Sequence, residues 1–509
     1  MIETFVDAVA RHARERPAAT ALVDARERLT WRQTITWVEA AGGWLADQRL
    51  QRGAAVIGWL PNAAEWYLLR LACEHAGLLW VPVAASQGAR ELGSIARRVR
   101  PAVIATSTCF RGREYLAEAA TVCREAGIDA IGLAVPETTL LRLDGRRVAP
   151  SGATRPEEPA HVLATTGSEG TPKLSVYTLA AAVERGRAQA ALLRMTPEDV
   201  VVALSTGTGP GKTPWLAAPL AGACVVTLPV FRPLAALELA ARERATMIAG
   251  TPAQLTMMLP ELGRFDLSSV RVWYTAGSVL PSALAEELES RTRGVVVSVY
   301  GATDFGGWAA PELDDPPDVR YRTVGRPRGG TEFRIVGADG RDEPPGGIGE
   351  VLGRGPCCVS GYVGDAELTQ ERWRDGWFRT EDVGRLDAAG NLVIVGRARD
   401  LIIRGGENIA PEEIETLLRG HPAVRDVAVV GVPDGVLDER VCACVVAVPG
   451  TRPTLATLRE HLRAQRIAHY KLPERLVVVP SLPTIGDKVD RAALVARATR
   501  ATDGESAPS

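Results

Sequence analysis

His161-Val162-Leu163-Ala164-Thr165-Thr166-Gly167-Ser168-Glu169-Gly170-Thr171-Pro172-Lys173 decides how the rest of the chain is read. The apolar run 161–164 predicts a strand, and a loop of glycines and hydroxyl residues follows at once. Glycine lets backbone N–H groups approach phosphate oxygens, hydroxyls add donors, and Lys173 adds a cation. No Gly-Lys-Ser/Thr closes the loop, so it is not a Walker A loop. Taken alone, the same composition also describes a surface turn. Around it the chain alternates short apolar runs (54–60, 79–83, 102–105, 161–164, 200–204, 223–228, 246–249, 270–274, 294–299) with amphipathic stretches such as 62–76, 178–194, 233–244 and 281–291. That alternation predicts layered α/β structure built on parallel sheets.

From about 320 the texture changes to short strands punctuated by Gly and Pro (331–337, 349–354, 391–395), which predicts a smaller β-rich subdomain. After Arg397 a strand, helix, strand, strand, helix, strand pattern runs to about 496. A chain of 509 residues exceeds what one core supports. The expected division is therefore α/β multidomain: a large N-terminal domain over 1–397, a small α+β C-terminal domain over 398–500, and a polar, disordered tail over 501–509.

Composition narrows the partners. With 59 basic and 61 acidic residues and a net charge of −2, nothing suggests a nucleic-acid footprint or a basic membrane patch. The first residues lack a basic segment followed by an apolar run, and no stretch is long and apolar enough for a spanning helix, so a cytoplasmic protein is expected. The eight cysteines form no CxxC pair and suit reduced, buried thiols better than a metal site. Only four of the 59 basic residues are lysines: Lys173, Lys212, Lys471 and Lys488. A chain that uses Arg as its general cation keeps Lys where a compact ammonium on a flexible stem is needed.

The loop resembles the hydroxyl-rich phosphate loop of the adenylate-forming superfamily (acyl- and aryl-CoA synthetases, peptide-synthetase adenylation domains, luciferases), and the likeness recurs in order to the end of the chain. Thr275-Ala276-Gly277-Ser278 matches a segment that touches adenine and acyl group through its backbone. Val299-Tyr300-Gly301-Ala302-Thr303-Asp304 resembles the YGxTE segment. The resemblance implies Tyr300 against adenine, Thr303 on the α-phosphate and Asp304 on Mg²⁺. Trp377-Phe378-Arg379-Thr380-Glu381-Asp382 resembles the RTGD segment, which makes Asp382 the acceptor for the ribose hydroxyls. Gly396-Arg397 through Ile409 resembles the hinge motif, with Arg397 on the ribose, Arg399 as pivot, and Arg404-Gly405-Gly406 lining the thiol tunnel. Tyr470-Lys471-Leu472-Pro473 matches YKxP. Pro483 to Arg491 resembles the last motif, where Lys488 bridges carboxylate and α-phosphate. Thr165, Thr166, Gly167, Ser168, Gly170, Lys173, Gly277, Ser278, Tyr300, Gly301, Thr303, Asp382 and Arg397 are thus the expected nucleotide contacts.

The implied fold is a large domain of layered sheets with a mobile C-terminal lid, closest to the acyl- and aryl-CoA ligases. The implied reaction takes a carboxylic acid and ATP·Mg²⁺ to acyl-AMP and pyrophosphate. The small domain then swings about Arg399, and CoA, or a carrier-protein thiol, takes the acyl group and releases AMP. Four departures bear on this. Glu169 stands where the loop has Thr or Ser, Glu381 replaces the Gly of RTGD, Asp304 replaces Glu, and Asp438 replaces a Gly before Glu439. A carboxylate roughly 5 Å from a triphosphate costs about 3 kcal/mol at an effective dielectric near 20. Three readings therefore stand: a complete synthetase, a ligase that only transfers a preformed acyl-AMP to CoA, and a non-catalytic AMP- or acyl-binding homologue. For the acyl site, Gly207, Gly209, Gly211 and Lys212 after the strand at 200–204, with Gly277 and Gly306, are the expected lining. With no bulky side chain before Trp215, they predict a roomy pocket for a bulky acid.

Overall fold

The computed structural model describes residues 2–143, 152–165, 172–207, 211–397, 400–404, 407–434, 438–465, 467, 469–485 and 488–504. Thr166, Gly167, Ser168, Glu169, Gly170, Gly209, Arg399, Gly405 and Gly406 lie outside the described residues, as do the side chains of Thr165, Arg397, Asp438 and Lys488.

Packing divides the chain into two compact units. One comprises Met1–Phe333, Leu352–Thr380 and Gly390–Leu392; the other comprises Arg334–Val351, Glu381–Ala389 and Val393–Ser509. The single break expected after Arg397 is replaced by several crossings inside the β-rich stretch. The strands Glu332–Val336, Gly349–Arg354 and Trp377–Leu386 each begin in one unit and end in the other.

Two sheets organise the first unit. The larger has nine strands, and its parallel part runs Val295–Gly301, Val272–Ala276, Met247–Gly250, Val200–Ala203, Cys224–Thr227 and Thr20–Val23 in spatial order. The second has seven strands, with Leu79–Ala84, Ala55–Leu60, Val103–Ser107 and Ile131–Val135 parallel. Beside Leu79–Ala84 lies Pro159–Thr165, which pairs antiparallel with Lys173–Thr178, Thr165 opposite Lys173. Of the stretch quoted first, 161–165 therefore lie in one strand of this pair and Lys173 opens the other.

Helices Phe5–Glu15, Trp31–Asp47, Ala64–Ala76, Leu179–Leu192 and Lys212–Ala221 bury their apolar faces among strands of both sheets in one core that includes Trp31, Trp37, Trp66, Tyr67 and Trp215. A second core covers the other face of the nine-stranded sheet with Pro233–Arg242 and Ser282–Arg291. A third covers the other face of the seven-stranded sheet with Ala89–Val99 and Tyr115–Ala126. Burial on both faces explains why these parallel strands read as continuous Val, Ile and Ala runs rather than as alternation.

The C-terminal part of the second unit is a small α+β fold. Its central strand Asp438–Ala447 pairs antiparallel with Val424–Asp434 and parallel with Arg475–Val478. Helices Pro411–Leu418 and Leu455–Ala464 pack on one face, and Arg491–Gly504 contributes Leu494 and Ala498 to the other. That last helix runs to Gly504, four residues into the stretch expected to be disordered, because the alanine-rich run ahead of it favours helix until a glycine stops it. Among the described residues no helix is long and apolar enough to cross a membrane.

Candidate active site

Parallel pairing places the expected nucleotide segments side by side. Thr275 lies opposite Ser298 and Ala276 opposite Val299. Gly277-Ser278 and Ala302-Thr303-Asp304 therefore follow their strands at the same end, the carboxyl ends where open α/β sheets bind ligands. Gly277 has φ +98°, a backbone that a side chain would strain. Tyr300 sits 6.0 Å from Phe333, ring centre to ring centre.

Asp304 joins side chains from distant parts of the first unit. Lys173 Nζ lies 3.9 Å from Oδ2, Arg372 Nη2 lies 3.6 Å away, and Tyr362 Oη donates a 3.2 Å hydrogen bond to the same oxygen. Lys173 opens the hairpin's second strand, while Tyr362 lies in the short strand Gly361–Tyr362 that pairs with it. Arg372 and Tyr362 had no motif to announce them; sheet pairing places Tyr362, and the helix Ala366–Arg372 that follows its strand ends on Arg372. Burial, followed by the charge of Asp304, pushes the Tyr362 hydroxyl up.

Thr303 is anchored through its backbone. Buried Tyr177 donates a 2.6 Å hydrogen bond to the Thr303 carbonyl, and Lys212 Nζ lies 3.3 Å from the Tyr177 hydroxyl. A short polar chain thus runs from the first residue of helix Lys212–Ala221 to Thr303. Burial, then Arg185, lowers the Lys212 ammonium from its ordinary 10.5 to about 7, opposed weakly by Asp304. His161 stacks on Tyr177 at 4.9 Å, and burial with Arg70 and Lys212 nearby lowers it to about 3, so it is neutral near pH 7.

Around Gly207, Gly211 and Gly306, among the described residues, close packing stands where a roomy pocket was expected. A Cβ on Gly207 would stand 2.5 Å from Trp66 Nε1 and 3.1 Å from Trp215 Cδ1, so two indoles take the space. At Gly211 it would stand 1.9 Å from the Thr206 carbonyl oxygen, and at Gly306 (φ +86°) 2.3 Å from that of Cys357. These glycines serve close backbone packing and tight turns, not empty volume. The Gly306 carbonyl accepts a 2.7 Å bond from Arg185 Nη1. The cavity beside Gly207 holds only about 20 Å³ between Trp66, Trp80, His161, Lys212 and Trp215.

In the second unit, buried Asp382 follows Glu381, whose φ of +61° is the left-handed backbone that a glycine would adopt freely. The Gly-to-Glu departure therefore carries a conformational cost of about 1–2 kcal/mol. Burial and the charges of Glu415, Asp400 and Asp382 raise the Glu412 carboxyl to about 7, against the lowering by Arg491. Arg404, expected in the thiol tunnel, makes a bidentate pair with Glu474 at 2.8 and 2.9 Å. Lys471 pairs with Glu413 at 2.6 Å, fastening the helix Pro411–Leu418. Lys488 lies in the short strand Lys488–Val489, opposite Ile485.

A profile for AMP-binding enzymes matches residues 9–363, and one for the AMP-binding enzyme C-terminal domain matches 413–487. The chain belongs to the AMP-binding enzyme family. It is an enzyme of the acid–thiol ligase class, related to acyl- and aryl-CoA ligases. It is 34% identical to a salicylyl-CoA synthase / salicylate adenylyltransferase of a Streptomyces species over 92% of this chain and 89% of that protein. It is 31% identical to the medium-chain fatty-acid–CoA ligase of Escherichia coli K12 over 88% and 82%. The ATP-bound MatB of Rhodopseudomonas palustris shares the fold, with a TM-score of 0.87 and 23% identity over 97% of this chain and 99% of that one.

Proposed function

We propose that this enzyme is a complete CoA synthetase, which first makes an acyl-AMP from a carboxylic acid and ATP and then passes the acyl group to CoA. The observation that carries the reading is the meeting of Lys173 and Asp304, with Thr303 held next to them by Tyr177. It brings the lysine that closes the glycine-rich loop to the segment assigned to the α-phosphate. In the first half-reaction a carboxylate oxygen bonds to the α-phosphorus while the bond to pyrophosphate breaks. Lys488 neutralises charge there and Asp382 orients the ribose. In the second, a thiolate attacks the mixed anhydride and AMP leaves.

Magnesium fits this site as a phosphate-held ion. Asp304 is a lone carboxylate, and among the described residues no group of three or more His, Cys, Asp or Glu forms a ligand set. Phosphate and water would supply the other ligands, and the ion would supply charge neutralisation.

A second reading, transfer of a preformed acyl-AMP only, is favoured by the company Asp304 keeps: two cations and a hydroxyl already share its carboxylate. ATP–pyrophosphate exchange across an acid panel separates the two. Exchange supports the synthetase. AMP release from synthetic acyl-AMP and CoA without exchange supports the transfer-only enzyme, and neither activity rejects both.

A further inference from the structure

Lys212 is the buried cation whose position the reaction above leaves unexplained. It is 9% exposed, and its ammonium has three donors. Among the described residues one donor meets the Tyr177 hydroxyl at 3.3 Å, and none meets a carboxylate. The charged groups around it do not offset it. Arg70 is turned toward Glu74 and the Trp215 carbonyl and stacks on Phe5. Arg185 donates to the Gly306 carbonyl. Asp304 stands with Lys173 and Arg372. His161 is neutral, as described.

The position is also the first residue of helix Lys212–Ala221, where the helix dipole disfavours a cation. Trp215, one turn on, lines the same cavity, and its buried indole N–H has no acceptor among the described residues. Among the described residues the wall therefore offers spare donors and a positive charge but no anion to match them. Buried charges without partners are too costly to keep unless a ligand supplies the partner.

We propose that this cavity is a subsite for a second oxygen acceptor on the acid substrate, received by Lys212 and Trp215, so that the preferred acids carry a second carboxylate or a ring hydroxyl besides the carboxyl that is activated. About 20 Å³ is room for one or two water-sized groups. It admits an oxygen-bearing end and excludes an alkyl chain. Among the described residues the aromatic walls Trp66, Tyr67, Trp80 and Trp215 offer the ammonium no carboxylate, and the Tyr177 hydroxyl takes only one of its three donors.

The inference rests on the synthetase reading, and the test keeps the two apart. With the full chain, ATP, Mg²⁺ and CoA, AMP release is measured for the matched pairs benzoate and salicylate, and hexanoate and adipate. The wild type should favour the oxygen-bearing member of at least one pair by about 30-fold in kcat/KM, the scale of one buried charged hydrogen bond. The salicylate pair reports a ring hydroxyl and the adipate pair a carboxylate. In Lys212→Met the ratio should fall below about 5, the remainder that a neutral hydrogen bond to Trp215 can supply. Lys212→Gln serves if the Met variant does not fold. Equal use of both members of both pairs by the wild type, or an unchanged ratio in the variants, overturns the subsite. If no acid releases AMP, the synthetase reading fails instead. The subsite is then judged by calorimetry of the same acids: tighter binding of salicylate or adipate that Lys212→Met abolishes upholds it, and equal binding overturns it.

Discussion

Replacing Lys212 with methionine should stabilise the chain, and the gain should depend on pH in a defined direction. The folded enzyme releases the Lys212 proton near pH 7, while the unfolded chain holds it to about 10.5. Between those values the unfolded state binds more protons, so wild-type stability rises with pH. Below pH 7 the full cost of burying the ammonium is present. The lowering spans three and a half pH units, each worth about 1.4 kcal/mol, which caps that cost at about 5 kcal/mol. Methionine has similar length and no charge, but it forfeits the bond to Tyr177, worth about 1 kcal/mol. Lys212→Met should therefore be more stable than wild type by about 2–4 kcal/mol at pH 6. The advantage should shrink as pH rises through 7 and vanish by about 10.5. Urea unfolding curves of both chains at pH 6, 8 and 10 measure it directly. A variant less stable than wild type at pH 6, or an advantage that persists undiminished at pH 10, would refute the reasoning, because the ammonium would then have a compensating partner.

Asp382→Ala should weaken AMP binding by about 2 kcal/mol, roughly 30-fold, since a buried charged acceptor for the ribose diol is lost; titration calorimetry giving wild-type affinity would contradict its assignment. Lys488→Ala should abolish pyrophosphate exchange and leave thioester formation from synthetic acyl-AMP largely intact, and equal loss of both half-reactions would count against its role. Glu412 holds its proton to about pH 7 when folded and to about 4.5 when unfolded, so it contributes stability below 4.5 that is lost as pH rises to 7. Glu412→Gln should flatten unfolding free energy across that window, and a slope like that of the wild type would place the titration on another group.

The linear order of residues settled many of the elements and supplied the candidate site residues. The apolar runs at 54–60, 200–204 and 246–249 became Ala55–Leu60, Val200–Ala203 and Met247–Gly250, because strands buried on both faces leave long apolar stretches that no helix period explains. The glycine and hydroxyl pattern around Thr165–Lys173, with the segments at Tyr300, Asp382 and Lys488, is local in sequence, so the candidate site residues could be named before any folding. What remained illegible depends on strands far apart in sequence. Lys173 and Tyr362 reach Asp304 because Lys173–Thr178 pairs with both Pro159–Thr165 and Gly361–Tyr362, and Arg372 because the helix Ala366–Arg372 follows that last strand. Glycines at 207, 211 and 306 read as open space, since the sequence shows a missing side chain and not the indole or carbonyl that fills its place. The isolation of Lys212 is likewise a property of packing. A lysine in a sequence is an ordinary cation, and only the walls of Trp66, Trp80 and Trp215 around it make its charge expensive enough to need a partner.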